Sequence, residues 1–205
     1  MLKLILVRHG ETDWNKIRRI QGGGSNTLLN ERGREQVVWL AGRLCREQLV
    51  AVYSSPLERA LVTAQAIAEK HRLGVSVEES LKEIAAGELE GRTLAEVGRH
   101  FSHLLLDNLN GGELPRIPGG ESLEEAQRRG WQFVQGIAKG HSEGAVAVVT
   151  HYFIILGVIL AALELPLSAI TKFRLSTGSL CALDFDEGAV RLSAFNESIG
   201  RTVIG

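Results

Sequence analysis

Leu4-Ile5-Leu6-Val7-Arg8-His9-Gly10-Glu11-Thr12 is an unbroken apolar run that stops at a cation, an imidazole and a glycine. Four consecutive apolar residues suit a strand covered on both faces, and such strands belong to α/β sheets whose sites lie at their carboxyl ends. The residues at the stop are chemical ones. A histidine can attack as a nucleophile, an arginine can hold an anion, and a glycine lets the backbone turn close to a ligand. Phosphate chemistry is the first expectation.

Outward from this strand, the pattern alternates. Strands are expected at Leu2 to Arg8, Leu49 to Tyr53, Val75 to Val77 and Val146 to Thr150, with a terminal pair at Leu180 to Phe185 and Val190 to Phe195 turned by Asp186-Glu187-Gly188. Helices are expected at Glu31 to Arg46, with core positions Val38, Leu40, Ala41 and Leu44, at Leu57 to His71, at Ala126 to Lys139 and at Tyr152 to Leu163. Ser122-Leu123-Glu124-Glu125 reads as a capping box opening the third of these. Alternation of this kind defines an α/β layered fold.

The middle, about residues 88–120, has a different composition. Gly111-Gly112, Pro115, Pro118 and Gly119-Gly120 frame a polar helix expected around Thr93 to Leu106, which suits an excursion over one end of the sheet. No repeat or low-complexity tract interrupts the rest, and 205 residues suffice for one domain with this insertion.

Bulk properties remove several function classes. With 23 basic against 24 acidic residues the net charge is -1, so no global field draws nucleic acid or an anionic membrane. Any anion site must be local. Cys45 and Cys181 are too few for a disulfide framework and sit in apolar contexts expected of buried thiols, which suits a cytoplasmic location. The first residues do not read as a secretory leader, because Lys3 interrupts them and no small-residue cleavage site follows. Ala145 to Leu163 is uncharged and long enough to cross a bilayer, but Thr150-His151 divides it into a β-branched half and a Leu/Ile/Ala half. A buried strand followed by a buried helix is the expectation, and that helix is also a candidate homodimer contact.

Arg8, His9, Arg59, Glu83 and His151 all stand at or just beyond strand ends, so a parallel sheet brings them to one edge. Taken singly, each has a bland alternative as a solvated charge or a hydrogen-bonded structural histidine. Together they form a site. A structural zinc is not expected, since only His100 and His103 are closely spaced and nothing completes their tetrahedron. Gly22-Gly23-Gly24 lacks the Lys-Ser/Thr of a P-loop, and neither a nucleophile elbow nor a dinucleotide fingerprint is present.

Five blocks in order resemble the histidine phosphatase superfamily, the phosphoglycerate mutase-like enzymes. They are Leu6-Val7-Arg8-His9-Gly10-Glu11-Thr12 with Asn15, Gln21-Gly22 and Leu29-Asn30-Glu31-Arg32-Gly33, then Ser54-Ser55-Pro56-Leu57-Glu58-Arg59-Ala60, then Leu81-Lys82-Glu83 to Glu90-Gly91, then Gly119-Gly120-Glu121-Ser122, and finally Val148-Val149-Thr150-His151. The resemblance implies a three-layer α/β/α sandwich with a mostly parallel sheet and a small helical cap. It implies a nucleophilic His9, a phosphoryl pocket of Arg8, Arg59 and His151, a proton donor at Glu83, and further phosphate contacts from Asn15, Gln21 and Gly22. The implied activity is metal-independent hydrolysis of a small phosphorylated metabolite through phosphohistidine, with no cofactor. Mutase-type transfer, a phosphoprotein phosphatase and a silent phosphate-binding module are the alternatives. Length and the Gly119-Gly120-Glu121-Ser122 block resemble the α-ribazole phosphatases. The chain departs from the pattern at Tyr152-Phe153, where glycines are usual, at Leu89, where an aromatic residue is common, and at 23–27, which lacks the usual Asp and Pro.

Overall fold

The computed structural model describes residues 1–97, 116–186 and 188–200. Six strands form one sheet: β1 (Leu2–Arg8), β2 (Leu49–Ser54), β3 (Val75–Val77), β4 (Gly144–Thr150), β5 (Ser179–Asp186) and β6 (Ala189–Ser198), ordered β3-β2-β4-β1-β5-β6. The pairs β3/β2, β2/β4 and β4/β1 are parallel, while β5 runs antiparallel to both β1 and β6. Only β5 is reversed, so the sheet is mostly parallel. The helices are α1 (Asp13–Lys16), α2 (Glu31–Leu44), α3 (Glu58–His71), α4 (Leu123–Gly140) and α5 (Tyr152–Ala162).

Why the layers form can be read from β1 itself. Successive side chains of a strand point to opposite faces. Leu2, Leu4 and Leu6 pack with Val146 and Val148 of β4 against α4 and α5, whereas Ile5 and Val7 pack with Ala145, Ala147 and Val149 against α2 and α3. Two dry cores result, one on each face, which makes the α/β/α sandwich. The charge-free stretch at 145–163 is the strand β4 and the helix α5, as expected, and among the described residues no helix is long and apolar enough to cross a membrane.

A helix apolar on all sides belongs in a core. Eight residues of α5, from Ile154 to Leu160 together with Ala162, are buried, each large one contributing about 1.5–3 kcal/mol. Little of α5 is left over for the homodimer contact expected of it, since within the helix only Tyr152, Phe153 and Ala161 are partly exposed.

Two expectations are corrected. Val38 is 74% exposed, and the buried face of α2 is Val37, Leu40, Ala41 and Leu44, which keeps the i, i+3, i+4, i+7 spacing that Val38 breaks. Cys181 is buried, but Cys45, one residue beyond the last buried turn of α2, is exposed. The capping box before α4 is present, with Ser122 and Glu125 each bonding the other's backbone amide. Of the polar helix expected at Thr93 to Leu106, a helical turn at 94–97 is seen, and the remainder lies outside the described residues together with His100, His103, Gly111-Gly112, Pro115 and the turn residue Glu187.

Candidate active site

Register places the two histidines together. Arg8 of β1 pairs with Thr150 of β4, so the next residue on each strand, His9 and His151, leaves the sheet at the same point. Their ring centroids are 5.0 Å apart. The next strand, β2, ends at Ser54, and Arg59 follows in the first turn of α3. Beyond β3, the chain turns back to carry Glu83 to the same edge. Gly10 is needed here for a close approach: a Cβ on it would lie 2.5 Å from the carbonyl oxygen of Gly33 at the start of α2.

His9 is 3% exposed and its Nδ1 lies 2.7 Å from the Gly10 carbonyl oxygen. A carbonyl only accepts, so Nδ1 carries the proton and Nε2 keeps its lone pair. Burial, then the Arg59 and Arg8 charges, hold His9 well below its ordinary pKa despite the Gly10 bond that favours the cation. The ring is therefore neutral near neutral pH, with the lone pair on Nε2. His151, fully buried, is depressed for the same reasons, burial first and then Arg59, His9 and Arg8. Its Nε2 lies 2.8 Å from Ser55 Oγ, while Nδ1 is buried without a partner among the described residues.

Arg59 is wholly buried, and it is held by carbonyls rather than by a carboxylate. Nη1 donates to Ser25 at 2.7 Å and Nη2 to Gly22 at 3.1 Å. Burial lowers its pKa to about 10, opposed by Glu83 and Glu90, so it remains a cation. The Gln21 amide bridges onward when its oxygen accepts from Arg59 and its nitrogen donates to Thr12 Oγ1, and Thr12 Oγ1 in turn donates to Asn15 Oδ1 at 3.1 Å. Buried cations lacking an ion-pair partner are costly and mark places where an anion is expected.

Arg8 is half-buried. Its Nη1 donates to the Leu175 carbonyl at 2.6 Å, its guanidinium lies 5.0 Å over the Tyr152 ring, and its Nε is buried and unpartnered among the described residues. Tyr152 in turn donates to the Phe173 carbonyl at 3.2 Å. Glu83 is 6% exposed, with Oε1 accepting from the Ile84 amide at 2.9 Å and both oxygens near the Phe153 amide at 3.3 Å. Burial raises its pKa, and the amides, Arg8 and Arg59 only partly oppose the rise. A buried carboxyl that is readily protonated beside two cations and a neutral imidazole equips one pocket with an acid, a nucleophile and an anion clamp.

A cavity of about 580 Å³ opens here, lined by Arg8, Asn15, Gln21, Gly22, Glu83 and Tyr152, and also by Arg18, Arg19 and Arg174. Of the residues singled out in the sequence, Arg8, Asn15, Gln21, Gly22 and Glu83 line this cavity, while His9 and His151 pack on each other and Arg59 is tied to Gly22, all three buried and outside its lining; two adjustments follow. Asn15 Oδ1 is occupied by the Thr12 amide and hydroxyl as an α1 capping box, which leaves only its Nδ2 amide for an anion. The Gly22 amide donates to Glu90 Oε1 at 2.9 Å, so its position serves packing and Arg59 anchoring. Sequence reasoning missed Ser55, the partner of His151, and the three outer arginines. Ser55 lies in a quoted block, yet nothing in its local pattern announces a contact 96 residues away.

The sequence matches the histidine phosphatase superfamily (branch 1) over residues 4–198. It is 35% identical over 187 residues to phosphoserine phosphatase 1 of Hydrogenobacter thermophilus, an alignment covering 91% of this chain and 88% of that one. A probable phosphoglycerate mutase of Yersinia pestis is 33% identical, with 91% and 86% covered. The structure resembles that of a phosphoserine phosphatase mutant from Entamoeba histolytica in complex with phosphoserine, at a TM-score of 0.86 and 32% identity over 96% of this chain and 97% of that one. Strand order, the paired histidines at one sheet edge and these likenesses agree: the chain belongs to branch 1 of the histidine phosphatase superfamily.

Proposed function

We propose that the protein hydrolyses a small phosphate monoester through a phosphohistidine on His9. One observation carries the reading: His9 is buried, within the field of Arg59 and Arg8, with Nδ1 tied to the Gly10 carbonyl, which keeps Nε2 unprotonated and free to attack. In the first step Nε2 bonds to phosphorus, the bond to the leaving oxygen breaks, and Glu83 gives that oxygen its proton. In the second, Glu83 takes a proton from water, the hydroxide displaces His9, and phosphate leaves. Arg8 and Arg59 neutralise charge on the phosphoryl oxygens as it spreads. If the Ser55 hydroxyl donates to His151 Nε2, the unpartnered Nδ1 of His151 carries a proton and adds a third donor. Asn15 Nδ2 and the Gln21 side chain extend the cradle, and Gly22 seats Arg59. None of these steps calls for a metal or cofactor.

Charge bears on the substrate. Beyond Arg8, the cavity wall has Arg18, Arg19 and Arg174, with Glu83 as its one acidic lining residue among the described residues. A phosphomonoester with a second anionic group, of the type of phosphoserine or 3-phosphoglycerate, suits that wall better than α-ribazole phosphate. Likeness to a probable phosphoglycerate mutase keeps phosphoryl transfer to a second hydroxyl as the other reading. We read the chain as one domain with an excursion at about 88–120, and the described residues at its two ends, Leu94 and Ile117, both line the cavity. A cytoplasmic location fits two cysteines that are not joined in a disulfide. The test is phosphate release with chelator present over phosphoserine, 3-phosphoglycerate, α-ribazole phosphate and para-nitrophenyl phosphate. Release abolished by His9→Ala is expected, and release unchanged by that substitution would refute the reading. Formation of 2-phosphoglycerate without phosphate would favour the mutase.

A further inference from the structure

Glu83 stands on a segment that has no helix or sheet ladder to hold it: residues 82–86 lie between a 3-10 turn ending at Leu81 and another beginning at Gly87. Backbone carbonyls in such a stretch must find partners elsewhere. Every carbonyl from 80 to 85 has found one. Thr150 Oγ1 donates to Leu81 at 2.6 Å, the Gly23 amide to Ile84 at 3.0 Å and the Glu121 amide to Ala85 at 2.9 Å. The remaining three belong to a single side chain. Arg129 of α4 donates from Nη1 to Ser80 at 2.7 Å and to Lys82 at 2.6 Å, and from Nη2 to Glu83 itself at 3.1 Å.

The rest of the guanidinium is equally committed. Nε and Nη2 donate to the two oxygens of Glu121 at 2.9 and 2.8 Å, and Glu121 Oε2 also accepts from the Ala85 amide at 2.9 Å. All five N–H groups of Arg129 are thus used, in a planar fork that no other side chain can reproduce. Burial would raise the Glu121 pKa, but the Arg129 bond and the Ala85 amide outweigh it, so the pair stays ionised.

We propose that Arg129, anchored by Glu121, is a positioning residue for the acid step, fixing the backbone under Glu83 so that its carboxyl meets the leaving oxygen. This rests on the acid role given to Glu83 above. Arg129 does not act by charge on that carboxyl, whose neighbouring cations are Arg8 and Arg59. It acts by geometry, and displacements near 1 Å at a reacting group are enough to cost about 10²-fold in rate.

Such a role has a signature that general stabilisation lacks, namely dependence on the leaving group. Steady-state kinetics of wild type, Arg129→Met, Arg129→Lys, Glu83→Gln and the Glu83→Gln/Arg129→Met double variant would be compared on phosphoserine or 3-phosphoglycerate, whichever is turned over, and on para-nitrophenyl phosphate. Arg129→Met is expected to lower kcat on the alkyl phosphate about 10- to 100-fold with KM changed only a few-fold, and to lower para-nitrophenyl phosphate turnover less than about threefold. In the Glu83→Gln background the same substitution should add less than about threefold, because the group it positions is already gone. Arg129→Lys, with one amine for five donors, should show the same bias in weaker form, and it carries the comparison if thermal melting shows Arg129→Met unfolded. Equal losses on both leaving groups, or full additivity with Glu83→Gln, would overturn the positioning role alone. Absence of leaving-group dependence in Glu83→Gln itself would remove the acid role and this inference with it.

Discussion

The electrostatics of the pocket can be tested through stability as well as rate. His9 and His151 are held neutral in the fold, 3% and 0% exposed, and both must be free to take protons once the chain unfolds. Their folded pKa values lie below the unfolded value of about 6.5, so below that pH the unfolded state binds more protons and stability falls as pH falls. A ring that stays neutral throughout this fall in pH loses on the order of 1 kcal/mol between about pH 7 and 5.5, so the pair loses at most roughly 2–3 kcal/mol. Glu83 works in the opposite sense. Its raised folded pKa means that protonation on acidification stabilises the fold. Comparing wild type with His9→Asn/His151→Asn removes these shared contributions to first order. Urea unfolding would be run at both pH values in phosphate-free buffer, because a bound anion would stabilise the native state by mass action. Wild type should lose more than the double variant, by at most roughly 2–3 kcal/mol. Equal losses would mean that both rings titrate normally in the fold, and the case for a lone pair preserved by burial and two arginines would fail.

Other expectations follow from the same geometry. On an alkyl phosphate, kcat/KM should fall on the acid side as His9 protonates, at a pH below its ordinary 6.5, and on the basic side as Glu83 loses its proton, at a pH above the ordinary 4.5. A basic limb equally steep for para-nitrophenyl phosphate would assign that limb to another group. Tyr152→Leu removes the ring under Arg8, a contact worth about 0.5–2 kcal/mol, so inhibition by inorganic phosphate should weaken about 2- to 30-fold while Tyr152→Phe stays near wild type. Equal behaviour of the two variants would show that the ring does not hold Arg8.

What the sequence could reveal depended on whether a residue's role is local. Leu4 to Val7 announces a strand buried on both faces because the pattern is written in consecutive positions, and His9 and His151 follow from where two such strands end. The all-apolar helix α5 is legible as buried for the same reason. Phase was harder. Val37 and Val38 are adjacent on α2, and only the full set with Leu40, Ala41 and Leu44 selects the inner one. Relations across the chain had no local signal at all. Arg129 sits in Gln127-Arg128-Arg129, a run that reads as a solvated helix face, yet its acceptors are carbonyls 46 to 49 positions earlier. Likewise nothing in the local sequence shows that the Gly22 amide is occupied by Glu90, 68 positions away.

The central claim is that the phosphoryl group passes through His9. Rapid quenching of a single turnover with radiolabelled substrate, in the presence of chelator, tests it most directly. The account predicts a transient label on the protein, stable in base and labile in acid, that maps to His9, decays as phosphate appears, and is absent from His9→Ala. Phosphate formed at the wild-type rate with no labelled protein at any time, or label mapping to another residue, would contradict it.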